Sequence, residues 1–177
     1  MSLLLKRKKK LQGKSDSVGC TFQFTSFLLK DHSDELEQLL FFNPQQKRYS
    51  AVIMKVIEET GLPTIVCDGI RLRIKIGSEL ETHTLFAIAH RPNWQKLVGV
   101  IIFRRPTAGQ LLVLHIAVDH DYAMSGRYAG LQLTFKMIEE VKRVAMHIKG
   151  VREVGITYGH KTGHTIFLPV AKKTNQI

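Results

Sequence analysis

The sequence predicts an α+β domain in which a mostly antiparallel sheet is flanked by helices and contains one parallel pair of strands. One observation is a change in hydrophobic period, from helical spacing before Pro63 to two-residue alternation after it. Another is the near-continuous apolar run Leu111 to Val118, which is typical of a strand covered on both faces. A long amphipathic pattern then leads to the strand pattern Val151 to Tyr158, which a right-handed crossover places parallel to that run.

Length and composition indicate one globular domain with a basic N-terminal tail. The chain has 177 residues, of which 44% are hydrophobic and 23% are charged, and it is long enough to bury a single core. Its net charge is +11, and six of its 26 cations lie in residues 1–14, which contain no acid. We expect residues 1–19 to form a disordered tail and residues 20–177 a single domain. Such a tail can be a nucleic-acid arm, a localisation signal or a solubilising end, and the last role is the commonest.

The sequence disfavours secreted, membrane-spanning and disulfide-bonded proteins. Leu3, Leu4 and Leu5 precede the basic cluster, which reverses the order found in a secretory signal. No apolar run approaches the roughly eighteen residues that a membrane span needs. Cys20 and Cys67 are too few, and too far apart, for a disulfide framework or a zinc site. These observations predict a cytoplasmic protein with reduced cysteines.

The N-terminal half is predicted to contain one strand and two helices. The strand covers Cys20 to Leu29, and Asp31 or Ser33 can cap the helix that follows, which ends at Asn43-Pro44. The second helix stops at Gly61. Its apolar residues at helical spacing are Tyr49, Val52, Ile53, Val56 and Ile57, and those of the first helix are Leu36, Leu39 and Leu40.

Four strands are predicted next. The turn dipeptide Asp68-Gly69 joins Thr64–Cys67 to a strand in which Ile70, Leu72, Ile74 and Ile76 alternate with Arg71, Arg73 and Lys75, so this hairpin has a basic outer face. The segments Thr84 to Ala89 and Leu97 to Phe103 follow as two further strands. Pro106 and Gly109 mark the turn before the central strand.

A long helix follows the central strand and ends at Gly150. We expect Glu139 to pair with Arg143 on its exposed side. The residues expected on its buried face are Leu131, Phe135, Ile138, Val141, Ala145 and Ile148. Between strand and helix lies a turn with Gly126, Arg127 and Gly130. A strand that enters a helix through such a turn directs several N–H groups, and the positive end of the helix dipole, toward one anion.

This order of elements resembles the GNAT family of acyl-CoA-dependent N-acyltransferases, best from Thr84 to Tyr158. In that family a motif of the form Arg/Gln-x-x-Gly-x-Gly/Ala follows the fourth strand and approaches the coenzyme diphosphate. Arg127-Tyr128-Ala129-Gly130-Leu131-Gln132 matches the arginine and the first glycine, whereas Gln132 replaces a small residue and Ala123 to Gly126 form an insertion. A second register uses Gly126 and loses the arginine. We prefer the first because it keeps the following apolar residues in helical phase.

The resemblance implies acetyl-CoA or another acyl-CoA as co-substrate and a V-shaped splay between the fourth and fifth strands of the sheet. The coenzyme-binding residues it implies in the turn are Arg127, Tyr128, Ala129, Gly130 and Leu131. At the splay, backbone groups of Ala117 and Val118 would hold the thioester and its pantetheine arm. Members of the family commonly continue past the fifth strand, whereas His160 to Ile177 is all that follows here. We therefore expect an acceptor pocket that is reduced, completed by another subunit or lost.

Two residues are candidates for the chemistry. His115 shares a strand face with Ala117 and would accept the amine proton. The commoner interpretation of such a histidine is a partly buried residue bonded to a backbone carbonyl. Tyr158, at the end of its strand, would protonate the departing sulfur, although a strand-end tyrosine is more often a packing residue. Asp119 and His120 are further candidates, or simply loop residues on a solvated rim.

No metal site is expected. His160 and His164 have the i, i+4 spacing of helical ligands, but Gly159 and Gly163 disfavour a helix there. No cysteine or carboxylate lies nearby to complete a site.

Two functions remain open. The first is an N-acyltransferase that moves an acyl group from acyl-CoA to an amine of a protein or small molecule, similar to divergent proteins of phages and mobile elements. The second is a non-catalytic GNAT-like module that binds nucleic acid or an acidic protein partner through its tail and a basic strand face. The cations of that face are Arg71, Arg73, Lys75, Arg104 and Arg105. For either function, a homodimer stays an open alternative.

Overall fold

A computed structural model describes residues 19–44, 50–77, 82–156 and 165–170. Within them lie three helices and nine strands. The helices are α1 (Ser33–Phe41), α2 (Ser50–Thr60) and α3 (Leu133–His147). The strands are β1 (Thr21–Thr25), β2 (Leu28–Leu29), β3 (Pro63–Asp68), β4 (Arg71–Ile76), β5 (His83–Arg91), β6 (Trp94–Thr107), β7 (Gln110–Val118), β8 (Glu153–Ile156) and β9 (Ile166–Pro169).

The strands form two sheets, and the predicted α+β class is confirmed. The larger sheet has the order β1-β5-β6-β7-β8-β9, and the smaller has the order β2-β4-β3. Only β7 and β8 pair in parallel among the described strands, and every other described pair is antiparallel. The central position predicted for Leu111 to Val118 is confirmed, since β6 and β7 occupy the middle of the larger sheet.

Two apolar cores cover the two faces of the larger sheet. Helix α3 closes one core with Leu133, Met137, Val141 and Ala145, which are all fully buried. Gly99 on β6 allows this close approach, because a Cβ atom there would lie 2.6 Å from the Met137 sulfur. Helix α1 and the smaller sheet close the other core. Leu36, Leu39 and Leu40 are buried in it, which confirms that they form the apolar face of α1.

The single strand predicted over Cys20 to Leu29 is two strands in different sheets. The Phe27 N–H donates to Thr25 Oγ1 at 3.0 Å, and this side-chain turn redirects the chain between β1 and β2. The caps predicted for α1 are also wrong, because the helix begins at Ser33 after His32 with no side-chain cap. His32 Nδ1 instead lies 2.8 Å from Glu35 Oε2.

The β3–β4 hairpin is confirmed around Asp68-Gly69. Leu72, Ile74 and Ile76 are buried as predicted, and the intervening cations are exposed. Ile70 is 67% exposed because it lies in the turn and not in the strand. In α2, Val56 is buried, whereas Tyr49 and the side chain of Val52 lie outside the described residues.

The buried face of α3 agrees with the prediction at Val141 and Ala145 but differs from it near the start of the helix. Phe135 is 58% exposed and Leu131 lies in a separate 3-10 turn, because the helix begins only at Leu133. The exposed ion pairs also differ, since Glu139 pairs with Lys142 at 2.8 Å and Arg143 pairs with Glu140 at 2.6 Å. Both pairs have i, i+3 spacing and replace the predicted pair of Glu139 with Arg143.

Candidate functional site

The centre of the larger sheet contains a bulge in β7. Phe103 of β6 faces Val113, whereas the preceding residue Ile102 faces His115, so Leu114 is an extra residue on β7. Parallel pairing with β8 covers Gln110 to Val113 and stops at this bulge. Within the described residues, β7 from Leu114 to its end therefore has a partner strand only on its β6 side.

At the end of β7, one main-chain carbonyl points away from β6. The Asp119 N–H donates to the Val98 oxygen at 2.8 Å, so the Val118 carbonyl in the same trans peptide points to the opposite side. The Nδ2 group of Asn43 donates to this carbonyl at 2.6 Å. By the alternation of antiparallel pairs, the main-chain groups of Ala117 point toward Val100 on β6. Only Val118 of the predicted pair thus presents its main chain to the open side of β7.

A pocket of about 360 Å³ lies beside this carbonyl, between α1, the start of β6 and the end of β7. Three carboxylates line it, from Asp34, Glu35 and Asp119, together with His120 and Lys96. Lys96 Nζ lies 2.8 Å from Asp119 Oδ2, and the Leu97 N–H donates to Glu35 Oε2 at 2.9 Å. The pocket therefore keeps an excess of negative charge beside the strand end.

His115 is 7% exposed and lies on the face of β7 that α1 covers, because it shares the alternation of Ala117. Burial lowers the pKa of His115 to about 4. The imidazole is therefore neutral at pH 7, and protonation costs about 3 kcal/mol more than in an ordinary histidine. This environment makes His115 a weak base. Tyr158, the second predicted catalytic residue, lies outside the described residues, as do His160 and His164.

The turn that follows β7 is held by its own main-chain bonds. The Tyr128 N–H donates to the Asp121 oxygen at 2.6 Å, the Ala129 N–H to Gly126 at 3.2 Å, and the Leu131 N–H to Tyr128 at 3.0 Å. These three amides, which the sequence predicted as coenzyme ligands, are already engaged. Anion binding here would therefore depend on the first turn of α3, whose N–H groups lack intrahelical partners.

The two glycines of the turn have different surroundings. A Cβ atom on Gly126 would collide with the main chain of His120 and Asp121, so only glycine fits that position. No atom would lie within 4 Å of a Cβ atom on Gly130, which faces open space. Gln132, just before α3, has a φ of +53°, a left-handed conformation that glycine adopts at no steric cost.

Aromatic contacts anchor the turn to the sheet. Arg91 Nη1 donates to the Tyr128 hydroxyl at 3.1 Å, and its guanidinium lies 4.2 Å from the centre of that ring. The Tyr128 ring lies 5.0 Å from Tyr122, which in turn packs on Phe22 of β1. Burial raises the pKa of Tyr122. Tyr128 is thus an anchor, whereas the exposed Arg127 lies on the outside of the turn.

The sequence analysis missed Asn43, Glu35 and the pocket that they help to form. Asn43 was assigned only to the end of a helix, and its bond to Val118 spans 75 positions of sequence. The acids of α1 were the available signal, since Asp34 and Glu35 both fall in its first turn. Acidic residues are common in the first turn of a helix because they interact favourably with the helix dipole, so Asp34 and Glu35 did not by themselves indicate a pocket.

Comparisons with protein-family models, with curated proteins and with solved structures found no match to this chain. No helix among the described residues is long and apolar enough to cross a membrane. Within the same ranges, no group of three His, Cys, Asp or Glu residues could hold a metal ion.

Proposed function

We propose that this chain is an N-acyltransferase of the GNAT type that transfers an acyl group, with acetyl as the first candidate, from acyl-CoA to an amine. The observation that supports it most is the end of β7, where the Val118 carbonyl turns away from β6 beside a pocket rich in carboxylates. The sheet order, the parallel β7–β8 pair and the turn that leads into α3 are the features that the family resemblance implies. We also propose a cytoplasmic location, where Cys20 and Cys67 remain free thiols.

The proposed reaction begins with both substrates beside the Val118 carbonyl at the end of β7. The acyl thioester extends along the open side of β7, where amide groups of its pantetheine arm exchange hydrogen bonds with main-chain groups such as the Val118 carbonyl. Asn43 donates to that carbonyl in this structure. When the thioester binds, this hydrogen bond must therefore break, or the carbonyl must accept a second hydrogen bond. The acids of the pocket attract the acceptor as an ammonium ion.

Transfer then requires loss of a proton from the amine. The neutral nitrogen attacks the thioester carbon and the carbon–sulfur bond breaks. The departing thiolate takes up the second proton that the nitrogen loses as the amide forms, which gives the CoA thiol. We propose His120 as the acceptor of the amine proton, because it is exposed and lines the pocket. His115 is the weaker candidate, since burial lowers its pKa to about 4.

The coenzyme diphosphate would bind where α3 begins. The first turn of this 15-residue helix supplies N–H groups and the positive end of the helix dipole. The open space beside Gly130 allows an anion to approach the main chain, and Arg127 contributes a positive charge at the rim.

Calorimetric titration of acetyl-CoA and of CoA into the protein tests this proposal. We expect the wild type to bind both, and Gly130→Asp to bind at least ~10-fold more weakly because its carboxylate occupies the anion position. Gly109→Asp is the matched control, since a side chain there also meets open space but lies in the β6–β7 turn. Failure of the folded wild type to bind either coenzyme would overturn the proposal.

A second measurement addresses catalysis. Thiol release from acetyl-CoA in the presence of mixed amines should fall at least ~10-fold in His120→Ala, in the range expected for loss of a general base. It should fall much less in His147→Ala, a control at the exposed end of α3. Equal rates for wild type and His120→Ala would remove this residue from the mechanism.

The second candidate function, a non-catalytic module for nucleic acid or an acidic protein, is favoured by one observation. Arg71, Arg73 and Lys75 are all exposed on the same face of β4. Arg71 stacks on Phe27 at 4.4 Å, and Arg73 lies 3.5 Å from Asp68, so part of this charge is used within the fold. Binding to a labelled oligonucleotide that weakens steeply with salt, in a protein that does not bind CoA, would favour this function.

A further inference from the structure

A second groove in the described part of the chain lies away from the proposed active site. It has a volume of about 850 Å³ and lies between the two sheets, beside the second half of α3. None of its lining residues belongs to the pocket beside Val118. Its apolar lining includes Phe24, Leu85, Phe103, Val144 and Ile148.

One side of this groove is an unpaired strand edge. Strand β1 pairs with β5 only as far as Thr25, which faces Phe86, whereas β5 begins three residues earlier at His83. Residues 83–85 therefore have a partner strand on the β6 side only, within the described ranges. Such an edge offers N–H and C=O groups in the spacing that another extended chain requires.

Among the described residues, the rim of the groove carries positive charge, part of which the contact of Arg73 with Asp68 at 3.5 Å already uses. Arg73 and Lys75 of β4 line it with exposed side chains, and His83 lies at its end. No aspartate or glutamate belongs to its lining among the residues that the structure describes. Within the described ranges, the groove thus combines an apolar wall, cations along one side and an unpaired strand edge along the other.

We propose that this groove binds an extended peptide segment of a partner protein, in which acidic residues alternate with apolar ones. The segment adds a strand to the free edge of β5, where main-chain hydrogen bonds hold it. Because alternate side chains of a strand point to opposite faces, its apolar side chains reach the wall at Leu85 and Phe103 while its acidic side chains reach Arg73 and Lys75. This site is independent of the proposed acyl transfer.

The test uses a fluorescein-labelled peptide of about eight residues in which Glu and Val alternate, a length that covers a strand of ordinary size. Fluorescence anisotropy should show saturable binding to the wild type and at least ~10-fold weaker binding to the double variant Arg73→Glu, Lys75→Glu. The double variant Lys55→Glu, Arg152→Glu carries the same change of charge on exposed residues outside the groove and should bind as the wild type does.

Modified peptides separate strand addition from simple attraction of charges. Methylation of alternate main-chain nitrogens should abolish binding in one of the two possible patterns and leave the other nearly unchanged, because only alternate N–H groups face a given edge. Equal affinity of both methylated forms and the parent peptide would overturn the proposal. It would also be overturned if laurate, an amphiphilic acid without a peptide backbone, bound in a manner dependent on Arg73 and Lys75 while the peptide did not.

Discussion

His115 makes the stability of this domain depend on pH below neutrality. Burial lowers its pKa from the ordinary value of 6.5 to about 4. Between these two values the unfolded chain binds a proton that the folded chain does not bind. The free energy of unfolding therefore rises with pH across this window, and stability is lost as the pH falls from 6.5 toward 4.

The size of the effect follows from the shift. A difference of 2.5 units between the ordinary pKa of 6.5 and the value of about 4 corresponds to about 3 kcal/mol once the pH lies below both values. Between pH 7 and pH 5 the contribution of this one group is about 2 kcal/mol. For a domain of this size that is a substantial part of the total free energy of unfolding.

Urea unfolding at pH 7 and pH 5 measures the effect in the wild type and in His115→Gln. Glutamine retains hydrogen-bonding groups but does not titrate, so the variant should lose about 2 kcal/mol less stability over this interval than the wild type loses. The quantity compared is the slope of the free energy of unfolding against pH, because carboxylates elsewhere contribute equally to both proteins. His147→Gln, at an exposed position on α3, should keep the slope of the wild type. Identical slopes for wild type and His115→Gln would refute the reasoning.

Three further predictions concern packing and the anchoring of β7. Asn43→Ala should lower stability by about 1–3 kcal/mol in thermal denaturation, because the Val118 carbonyl loses its donor. Gly99→Ala should cost about 1–3 kcal/mol, and Met137→Ala should cost less in that background than in the wild type, which a double-mutant cycle measures. Met137→Ala alone should cost about 2–5 kcal/mol in urea unfolding, whereas Phe135→Glu on the exposed face should cost under about 1 kcal/mol; the reverse order would contradict the observed helix phase.

The fold was predictable where a local pattern admits one interpretation. In β4, alternation of apolar and basic residues allows only one face to be buried, and the structure follows it from Leu72 to Ile76. The helix after β7 was ambiguous, because apolar residues at both Leu133 and Phe135 fit a stripe of helical period. The choice depends on where the helix begins, which the left-handed conformation of Gln132 decides. Sequence periodicity contains no information about that dihedral angle.

The candidate site was less predictable than the fold, since its main features come from residues far apart in sequence. The run Leu111 to Val118 predicts a buried central strand, but it does not reveal that Leu114 is bulged. Nor does it reveal that the carbonyl at its end accepts from Asn43, because that bond joins the segment after α1 to the end of β7 across 75 positions of sequence. Nor does the sequence reveal that three of the predicted amide ligands already have main-chain partners. The Tyr128 N–H donates to Asp121, and the N–H groups of Ala129 and Leu131 each donate to the carbonyl three residues earlier.

The two glycines of the turn show why its sequence allowed two alignments with the family motif. Gly126 is required by the fold, because any side chain would collide with the main chain of His120 and Asp121. Gly130 is not required by the fold, because its surroundings are open. Gly130 lies close to the N-terminus of a long helix, where a ligand could approach the main chain only if no side chain stands in the way. We therefore propose that Gly130 serves such a ligand. The structure thus separates a glycine that the fold requires from one that it does not require, and the ligand that we propose for the second corresponds to the register that begins at Arg127.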